Sequence, residues 1–162
     1  MRRALTVLAA IGLAIVVVVG LSVWLITRNQ PRQYPQISAY SRGHLTRVGP
    51  YRYCNVLNLN DCDNPQTQGE LPVDAGYPVQ LSVPTSIGRA PWRLVRVYPD
   101  ARDTTVTLYR PNTRLAVTIP ITDPQRGRLM GFAVQLLTLV VTPNGELTDA
   151  PHAEWSVRTI WS

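Results

Sequence analysis

The 162-residue sequence has no lysine, and all 16 of its basic residues are arginine. The favoured explanation of this bias is a GC-rich coding sequence. The second explanation is selection for guanidinium groups, which donate hydrogen bonds in a forked geometry. Ten acidic residues leave a formal charge of +6. The positive excess is small and scattered, so the charge does not indicate a nucleic-acid surface. It suits mild attraction to anionic lipid headgroups or polyanionic envelope polymers.

Histidine is almost absent, with only His44 and His152, which lie far apart in the sequence. A hydrolytic metal site needs about three protein ligands. No spacing of the two histidines with Asp61 or Asp63 favours such a site. We therefore expect histidines in turns or on the surface, and neither a metal nor another cofactor.

Motifs that assemble catalytic groups are also missing. The sequence contains no G-x-S-x-G elbow, no C-x-x-C pair and no glycine-rich phosphate loop. A serine nucleophile needs a nearby base and an orienting acid. The acidic pairs Asp61/Asp63 and Asp100/Asp103 are more typical of solvated turns, because the first lacks the glutamate and glycine spacing of a calcium loop. The sequence thus predicts a protein that is not an enzyme.

One long stretch, residues 4–26, lacks charge altogether. As a helix it would extend about 34 Å, enough to cross the roughly 30 Å hydrocarbon layer of a membrane. It is longer than the apolar core of a removable signal peptide, and the bulky residues from Trp24 to Arg28 are poor signal-peptidase substrates. We predict an uncleaved transmembrane signal-anchor helix. Without ionisable groups, such a helix is not suited to ion or proton conduction on its own.

Arginines lie on both sides of this stretch, with Arg2 and Arg3 before it and Arg28 and Arg32 after it. Together with the terminal amine, they give a small preference for a cytoplasmic N-terminus. We therefore expect a single-pass protein of the inner (plasma) membrane, with residues 1–3 in the cytoplasm and the bulk of the chain on the periplasmic side.

The two cysteines, Cys54 and Cys62, favour the same location. We expect residues 27–35, which contain two prolines, to form an extended linker. Residues 36–162 would then form the extracytoplasmic domain, where thiols oxidise. The cysteine pair predicts a local disulfide, whose small loop places its stabilisation in the lower part of the ~2–4 kcal/mol range.

Residues 36–162 show short runs with period-two alternation, separated by turn residues at intervals of about 8–12 residues. This pattern, with no convincing helix, predicts an all-β fold: an immunoglobulin-like antiparallel two-sheet sandwich, with a barrel as the alternative. The antibody-type inter-sheet cysteine pair is absent, because Cys54 and Cys62 are too near each other. The runs that predict strands are 36–41, 44–56, 70–73, 79–83, 92–98, 104–110, 114–121, 129–142 and 153–161.

Three details of this domain are specific expectations. Residues 61–69 have turn chemistry throughout. The alternation slips between Leu94 and Val97, which indicates a β-bulge. The apolar segment 129–142 could pass for a helix, but its β-branched tail and the following Pro-Asn-Gly turn predict a central strand.

Aromatic and arginine side chains recur in two strand regions. Such residues dominate interface hot spots, although packing in the sandwich core is the favoured alternative for the Trp and Tyr side chains. The C-terminal strand, with Trp155 and Trp161, is a second candidate surface if it lies at an edge. The first candidate interface consists of Tyr51, Arg52, Tyr53, Trp92, Arg93, Arg96 and Tyr98.

Several segments also resemble a known family. The N-terminal anchor, PYRYC, DCD, LPVDAGYPVQLSVP and APWRLVRVY resemble an uncharacterised actinobacterial membrane-anchored family, a domain of unknown function found in mycobacteria and relatives. The resemblance covers most of the chain and implies a cell-envelope setting, but it carries no catalytic residue. The predicted function is a non-enzymatic module that docks onto envelope or membrane proteins. The alternative is a module that binds a lipid, glycan or peptide in a cavity of ~300–1,000 Å³.

Overall fold

A computed structural model describes residues 2–28 and 33–161, with side chains from residue 11 onward. The chain divides into two compact units, and the second unit begins at Tyr34. The first contains helix α1 (Arg2–Arg28), which extends the predicted segment by two residues at each end. Its described apolar side chains, from Ile11 onward, are all exposed. Within the described residues, this is the one helix long and apolar enough to cross a membrane.

The second unit is built almost entirely from short strands. A single helical turn, α2 (Thr85–Gly88), and one turn of 3-10 helix (Ala101–Asp103) interrupt them. The strands are β1 (Ile37–Ser41), β2 (His44–Val48), β3 (Arg52–Asn55), β4 (Asn58–Asp63), β5 (Gln68–Val73), β6 (Val79–Ser82), β7 (Trp92–Val97), β8 (Thr105–Tyr109), β9 (Ala116–Ile119), β10 (Thr122–Asp123), β11 (Gly127–Arg128), β12 (Gly131–Val141) and β13 (Leu147–Trp161).

These strands form two main sheets. The larger has the order β4-β3-β13-β12-β7-β8, and the smaller has the order β2-β1-β6-β9. Neighbouring strands are antiparallel except β5, which runs parallel to the C-terminal half of β13. Strands β10 and β11 form a separate small hairpin. The sandwich-like, mostly antiparallel arrangement confirms the predicted fold class.

The core lies between the two sheets because each strand buries alternate residues. In β6, Val79 and Leu81 are buried while Gln80 is exposed, as the period-two pattern predicts. Burying side chains of this size stabilises the fold by roughly 1.5–3 kcal/mol each. The largest fully buried side chains are Trp92, Trp155, Phe132, Ile37, Leu71, Leu81, Ile87, Leu94, Ile119 and Leu129.

Two predicted segments differ from the structure near the cysteines. The run 44–56 is not one strand: β2 ends at Val48 and β3 begins at Arg52. Between them lies Pro50, whose missing N–H interrupts a strand ladder. The stretch 61–69 is also not turn throughout, because β4 extends to Asp63 and pairs Cys62 with Cys54. The predicted Cys54–Cys62 disulfide is present.

The β-bulge predicted between Leu94 and Val97 is absent. Strand β7 pairs with β8 in regular register from Trp92 to Arg96, so there is no bulge at the position expected. One register shift occurs between Cys54 and Asn55 of β3. Another occurs between Leu136 and Leu137 of β12, where β13 contributes the extra residue His152. A bulge bends and twists the pair of strands at this point.

The C-terminal strand is a centre of the fold and not an edge. Strand β13 pairs with β12 on one side and with β3 and β5 on the other. The Trp155 side chain is fully buried, and its Nε1 donates a hydrogen bond to the Pro35 carbonyl oxygen at 2.8 Å. Trp155 therefore ties the start of the β unit to its core. The prediction that β12 is a central strand is confirmed.

The two lateral sides of the sandwich differ. On one side β5 of the larger sheet lies beside β2 of the smaller, and Thr46 Oγ1 donates a hydrogen bond to the Glu70 carbonyl oxygen at 2.8 Å. On the other side β8 and β9 are the outermost strands, and neither pairs with a further strand within residues 33–161. One side is thus bridged and the other is open.

Candidate functional site

The seven residues of the interface predicted from the sequence do not share one strand face. Trp92 and Tyr98 are 0% and 4% exposed, so both are core side chains and not part of an exposed surface. Arg93 lies on the opposite, outer face of β7. The structure therefore does not bring the seven residues together on one surface.

Two of the arginines belong to a polar row across the outer face of the larger sheet. Arg93 Nε donates a hydrogen bond to Gln135 Oε1 at 2.6 Å, and Gln135 Nε2 donates to Glu154 Oε2 at 2.6 Å. Arg52 stands opposite Glu154 in the register of β3 and β13. Polar groups on the centre of this face therefore already bond to each other across neighbouring strands.

The two tyrosines lie where the chain enters the β unit. Tyr51 is exposed, and its backbone N–H donates a hydrogen bond to the Glu154 carbonyl oxygen at 2.6 Å. The Tyr53 ring contacts Tyr34 at 5.0 Å and Trp155 at 6.3 Å between centroids. These contacts fix the entry of the chain onto β3, which is a structural role.

The feature that sequence reasoning missed is the orientation of β8. The sequence predicts that Val106 and Leu108 share a face, and they do, but each is 57% exposed. The inward face instead carries Thr105, Thr107 and Tyr109, all half-buried. Alternation alone gives the two faces of a strand and does not tell which one the core covers.

The aliphatic surface continues from β8 onto β7. Val106 stands opposite Val95, and Leu108 stands opposite Arg93, on the outer face of the two strands. Val97, next on that face of β7, is 40% exposed. We call β8, residues 105–109, the β8 edge; its outer face is apolar and its outward side is unpaired.

The β8 edge lacks the features that block other sheet edges. Charges, prolines and short length discourage the addition of a further strand. The outer strand β2 carries Arg47, and β4 carries Asp61 and Asp63 beside the disulfide. Strand β9 has only four residues and is followed by Pro120. The β8 sequence, TVTLY, has neither a charge nor a proline.

A cleft opens between the β8 edge and β9. The Tyr109 ring at its wall stacks on the buried Trp92 ring, with 4.3 Å between centroids. Arg96, on the inward face of β7, donates through Nη2 to Thr107 Oγ1 at 3.3 Å. Its buried Nε has no hydrogen-bond acceptor among the residues that the structure describes. The cleft measures about 370 Å³ and is lined by Tyr109, Arg114, Ala116, Val117 and Thr118.

A second group of exposed aliphatic side chains lies next to the turn of the β12–β13 hairpin. Leu139, Val141 and Leu147 are each more than 60% exposed on one face of this hairpin. Asp149 stands opposite Leu139 on the same face. A charge thus lies beside this apolar face, as Arg93 does beside Leu108.

The ionisable groups that the sequence singled out are dispersed. His44 is exposed, whereas His152 is buried and its Nδ1 lies 3.4 Å from the Cys54 carbonyl oxygen. Burial lowers the pKa of His152, although the hydrogen bond to Cys54 opposes this shift. Asp100 pairs with Arg102 at 2.8 Å, and these hydrogen bonds lower the pKa of Asp100. In the described part of the chain, no three His, Cys, Asp or Glu side chains form a metal-binding group.

Comparison with known proteins confirms the resemblance seen in the sequence. Residues 30–160 match the family described as Protein of unknown function (DUF2771). The chain belongs to this family. It is 62% identical over 162 residues to Uncharacterized protein Rv0875c of Mycobacterium tuberculosis (strain H37Rv) and to Uncharacterized protein Mb0899c of Mycobacterium bovis, covering 99% of this chain and 100% of each relative. No solved structure matches the chain.

Membership of the DUF2771 family transfers no residue role to this chain. The match does cover both features found here, because the β8 edge and the cleft beside Tyr109 lie within residues 30–160. The β8 edge offers unpaired backbone groups and aliphatic carbon, which suits strand addition. The cleft offers the Tyr109 ring and the Arg114 guanidinium, which suit a small polar ligand.

Proposed function

We propose that this DUF2771 protein is a non-enzymatic, single-pass protein of the cell envelope whose β unit docks a protein partner at the β8 edge, outside the cytoplasmic membrane. It would act by contact, as an accessory subunit of a membrane complex. The observation that carries the proposal is an uncharged, unpaired outer strand whose exposed face holds Val106 and Leu108.

The anchor is supported by the length and surface of α1. Its 27 residues extend about 40 Å as a helix, more than the roughly 30 Å hydrocarbon core requires. Side chains such as Leu13 and Val16 are 69% and 68% exposed. Exposed aliphatic carbon of this extent is unfavourable in water and favourable in lipid.

The extracytoplasmic placement of the β unit rests on the disulfide and on flanking charge. Disulfides persist in oxidising compartments and are rare in the cytosol, and Cys54 is bonded to Cys62. Arg2 and Arg3 precede the uncharged stretch 4–26, which favours a cytoplasmic N-terminus.

Docking by strand addition follows from what the β8 edge leaves unsatisfied. An added strand pairs the free N–H and C=O groups, and alternate side chains supply specificity. Covering Val106 and Leu108 also removes aliphatic surface from water, which is favourable by roughly 25 cal/mol per Å². Both gains are available on this outer strand without displacing an existing bond.

Two measurements test the proposal. A membrane-impermeant thiol reagent applied to intact cells after mild reduction should label Cys62, and cell fractionation should place the full chain in the membrane. A photo-crosslinking amino acid at Leu108 should form protein adducts. The matched control is Leu45 on β2, which is also 57% exposed.

Adducts from position 108 and none from position 45 would support docking at the β8 edge. Equal yields from both positions, or no adduct from 108, would contradict it. Labelling of Cys62 only in lysed cells would contradict the extracytoplasmic placement.

The cleft between β8 and β9 favours a second candidate function, the binding of a small lipid, glycan or peptide. Its volume, about 370 Å³, lies at the lower end of the range for ligand pockets, and the Arg114 guanidinium in its lining suits an anionic group. Binding there should change the fluorescence of Trp92 through its stacking on Tyr109. Envelope lipid extracts that leave this fluorescence and the unfolding temperature unchanged would contradict this function.

A further inference from the structure

The sequence of the β8 edge is complementary to itself. In an antiparallel pair related by a twofold axis through Thr107, Val106 stands opposite Leu108 of the second copy, and Thr105 stands opposite Tyr109 of the second copy. All five residues of β8 then have a partner. An axis through Val106 or Leu108 would align only three residues of each strand.

We propose that the β8 edge joins two copies of this chain by antiparallel β8–β8 pairing about a twofold axis through Thr107. This inference rests on the function proposed above and names the protein partner of the same site. Closed twofold contacts, in which the same patch occurs on both subunits, are the commonest form of protein assembly.

The proposed register matches the chemistry on both faces of the strand. On the outer face, Val106 and Leu108 of the two copies form one apolar row, and directly opposed aliphatic pairs stabilise a sheet. On the inner face, Thr107 meets Thr107 of the second copy, and Thr–Thr pairs are also favourable. A shift by one residue would place the apolar face of one copy beside the threonine face of the other.

The charges that flank β8 favour antiparallel pairing of two identical edges. Asp103 precedes the strand and Arg110 follows it, while Asp100 is already paired with Arg102. Antiparallel pairing brings the N-terminal flank of one copy to the C-terminal flank of the other. In this register Asp103 stands opposite Pro111 and Arg110 opposite Thr104 of the second copy. Asp103 of each copy is therefore diagonal to Arg110 of the other, whereas parallel pairing would place like charges together.

The contact is too small to hold two copies together in dilute solution. Stable interfaces bury ~1,200–2,000 Å², and five residues of each strand contribute much less. Two chains anchored in one membrane meet at a raised effective concentration, so weak pairing becomes sufficient. The structure thus predicts a dimer in the membrane and a monomer at low concentration in detergent.

A self-crosslinking cysteine tests the register directly. In the variant Thr107→Cys, the two introduced thiols face each other across the axis, where opposed Cα atoms lie about 4.5–5.5 Å apart, within disulfide range. The matched control, Thr105→Cys, has the same inward face and similar burial, but its two copies would be about 13 Å apart along the strands. The native cysteines are already bonded and do not compete.

Full-length protein in native membranes would be treated with a mild oxidant and separated without reducing agent. We expect a species at twice the 18.0 kDa chain mass, at least tenfold more abundant for Thr107→Cys than for Thr105→Cys. Equal dimer yields from both variants, or no dimer from Thr107→Cys, would overturn the proposal.

Charge exchange gives a second readout on the Thr107→Cys background. Val106→Glu places a carboxylate opposite Leu108 of the second copy and should reduce the dimer yield severalfold. Adding Leu108→Arg should restore it, because each introduced carboxylate then faces an introduced guanidinium. Failure of the double variant to restore the dimer would contradict the register.

The photo-crosslink at Leu108 separates this inference from the proposed function. An adduct at twice the chain mass supports both. An adduct of another mass, with no Thr107→Cys dimer, leaves docking at the β8 edge in place and overturns self-pairing. The absence of any adduct overturns both.

Discussion

The outward orientation of β8 predicts that two neighbouring leucines differ greatly in their contribution to stability. Leu94 on β7 is 2% exposed, whereas Leu108 on β8 is 57% exposed. The two residues lie on adjacent strands of one sheet, and both would be changed to alanine. Their substitution therefore compares the same loss of side-chain atoms on the covered and the uncovered face.

The expected magnitudes follow from burial. Leu94→Ala removes a fully buried side chain and should lower the free energy of unfolding by about 2–5 kcal/mol. Complete burial of a leucine is worth roughly 1.5–3 kcal/mol, and Leu108 has lost less than half of its surface to the fold. Leu108→Ala should thus cost about 1 kcal/mol or less.

The measurement is urea unfolding of the full chain in mild detergent, followed by the fluorescence of the buried Trp92 and Trp155. Low protein concentration keeps the chain monomeric. If Leu108→Ala costs as much as Leu94→Ala, the outer face of β8 is covered by the fold, and the docking surface does not exist.

Three further outcomes follow from the β unit. Replacing both Cys54 and Cys62 by serine should lower the free energy of unfolding by about 2.5 kcal/mol, the loop-closure value for a separation of 8 residues. An unchanged free energy of unfolding in urea would contradict this. Burial lowers the pKa of His152 below 6.5, so the unfolded chain binds more protons and stability should fall as the pH drops from about 6.5 through the folded-state pKa. His152→Asn should weaken this dependence of stability on pH, whereas His44→Gln, at an exposed site, should not. Identical pH profiles for the two variants would contradict the conclusion that His152 causes the dependence. Gly131→Ala should cost about 1–3 kcal/mol in the same urea assay, because an added Cβ would lie 2.7 Å from a backbone oxygen of β13; an unchanged midpoint would show that this strand pair can separate.

The sequence was sufficient to predict features that depend on local pattern. Alternation at Val79 and Leu81 predicts a half-buried strand because successive side chains point to opposite faces, and β6 buries both residues. The Cys54–Cys62 pairing was predictable because two cysteines a few residues apart allow only one bridge. The apolar run in α1 was predictable from its length.

Features that depend on distant parts of the chain were not predictable in this way. The parallel pairing of β5 with β13 joins Gly69 to Val157, and nothing near either residue encodes it. Trp92 and Arg93 are adjacent in sequence but lie on opposite faces of β7. Grouping them as one interface therefore combined a core side chain with a surface side chain.

The same limit explains why the sequence did not predict the orientation of β8. Whether Val106 or Thr107 faces the core depends on where the smaller sheet lies, and that is decided by strands far along the chain. A run of alternating β-branched residues is compatible with either orientation. Only the assembled fold shows that the aliphatic face of β8 is the uncovered one.

The chemistry of the outer face explains why a partner would select β8 over the centre of the sheet. At the centre, Arg158 pairs with Glu70, and Glu154 is linked through Gln135 to Arg93. A partner that covered these groups would have to remove water from charges that already bond to each other. This desolvation is unfavourable unless the partner replaces every hydrogen bond that the charges make with water. At β8 the same partner would cover aliphatic carbon and pair free backbone groups, so both changes favour binding. Specificity for the edge thus arises as much from the satisfied centre as from the apolar strand itself.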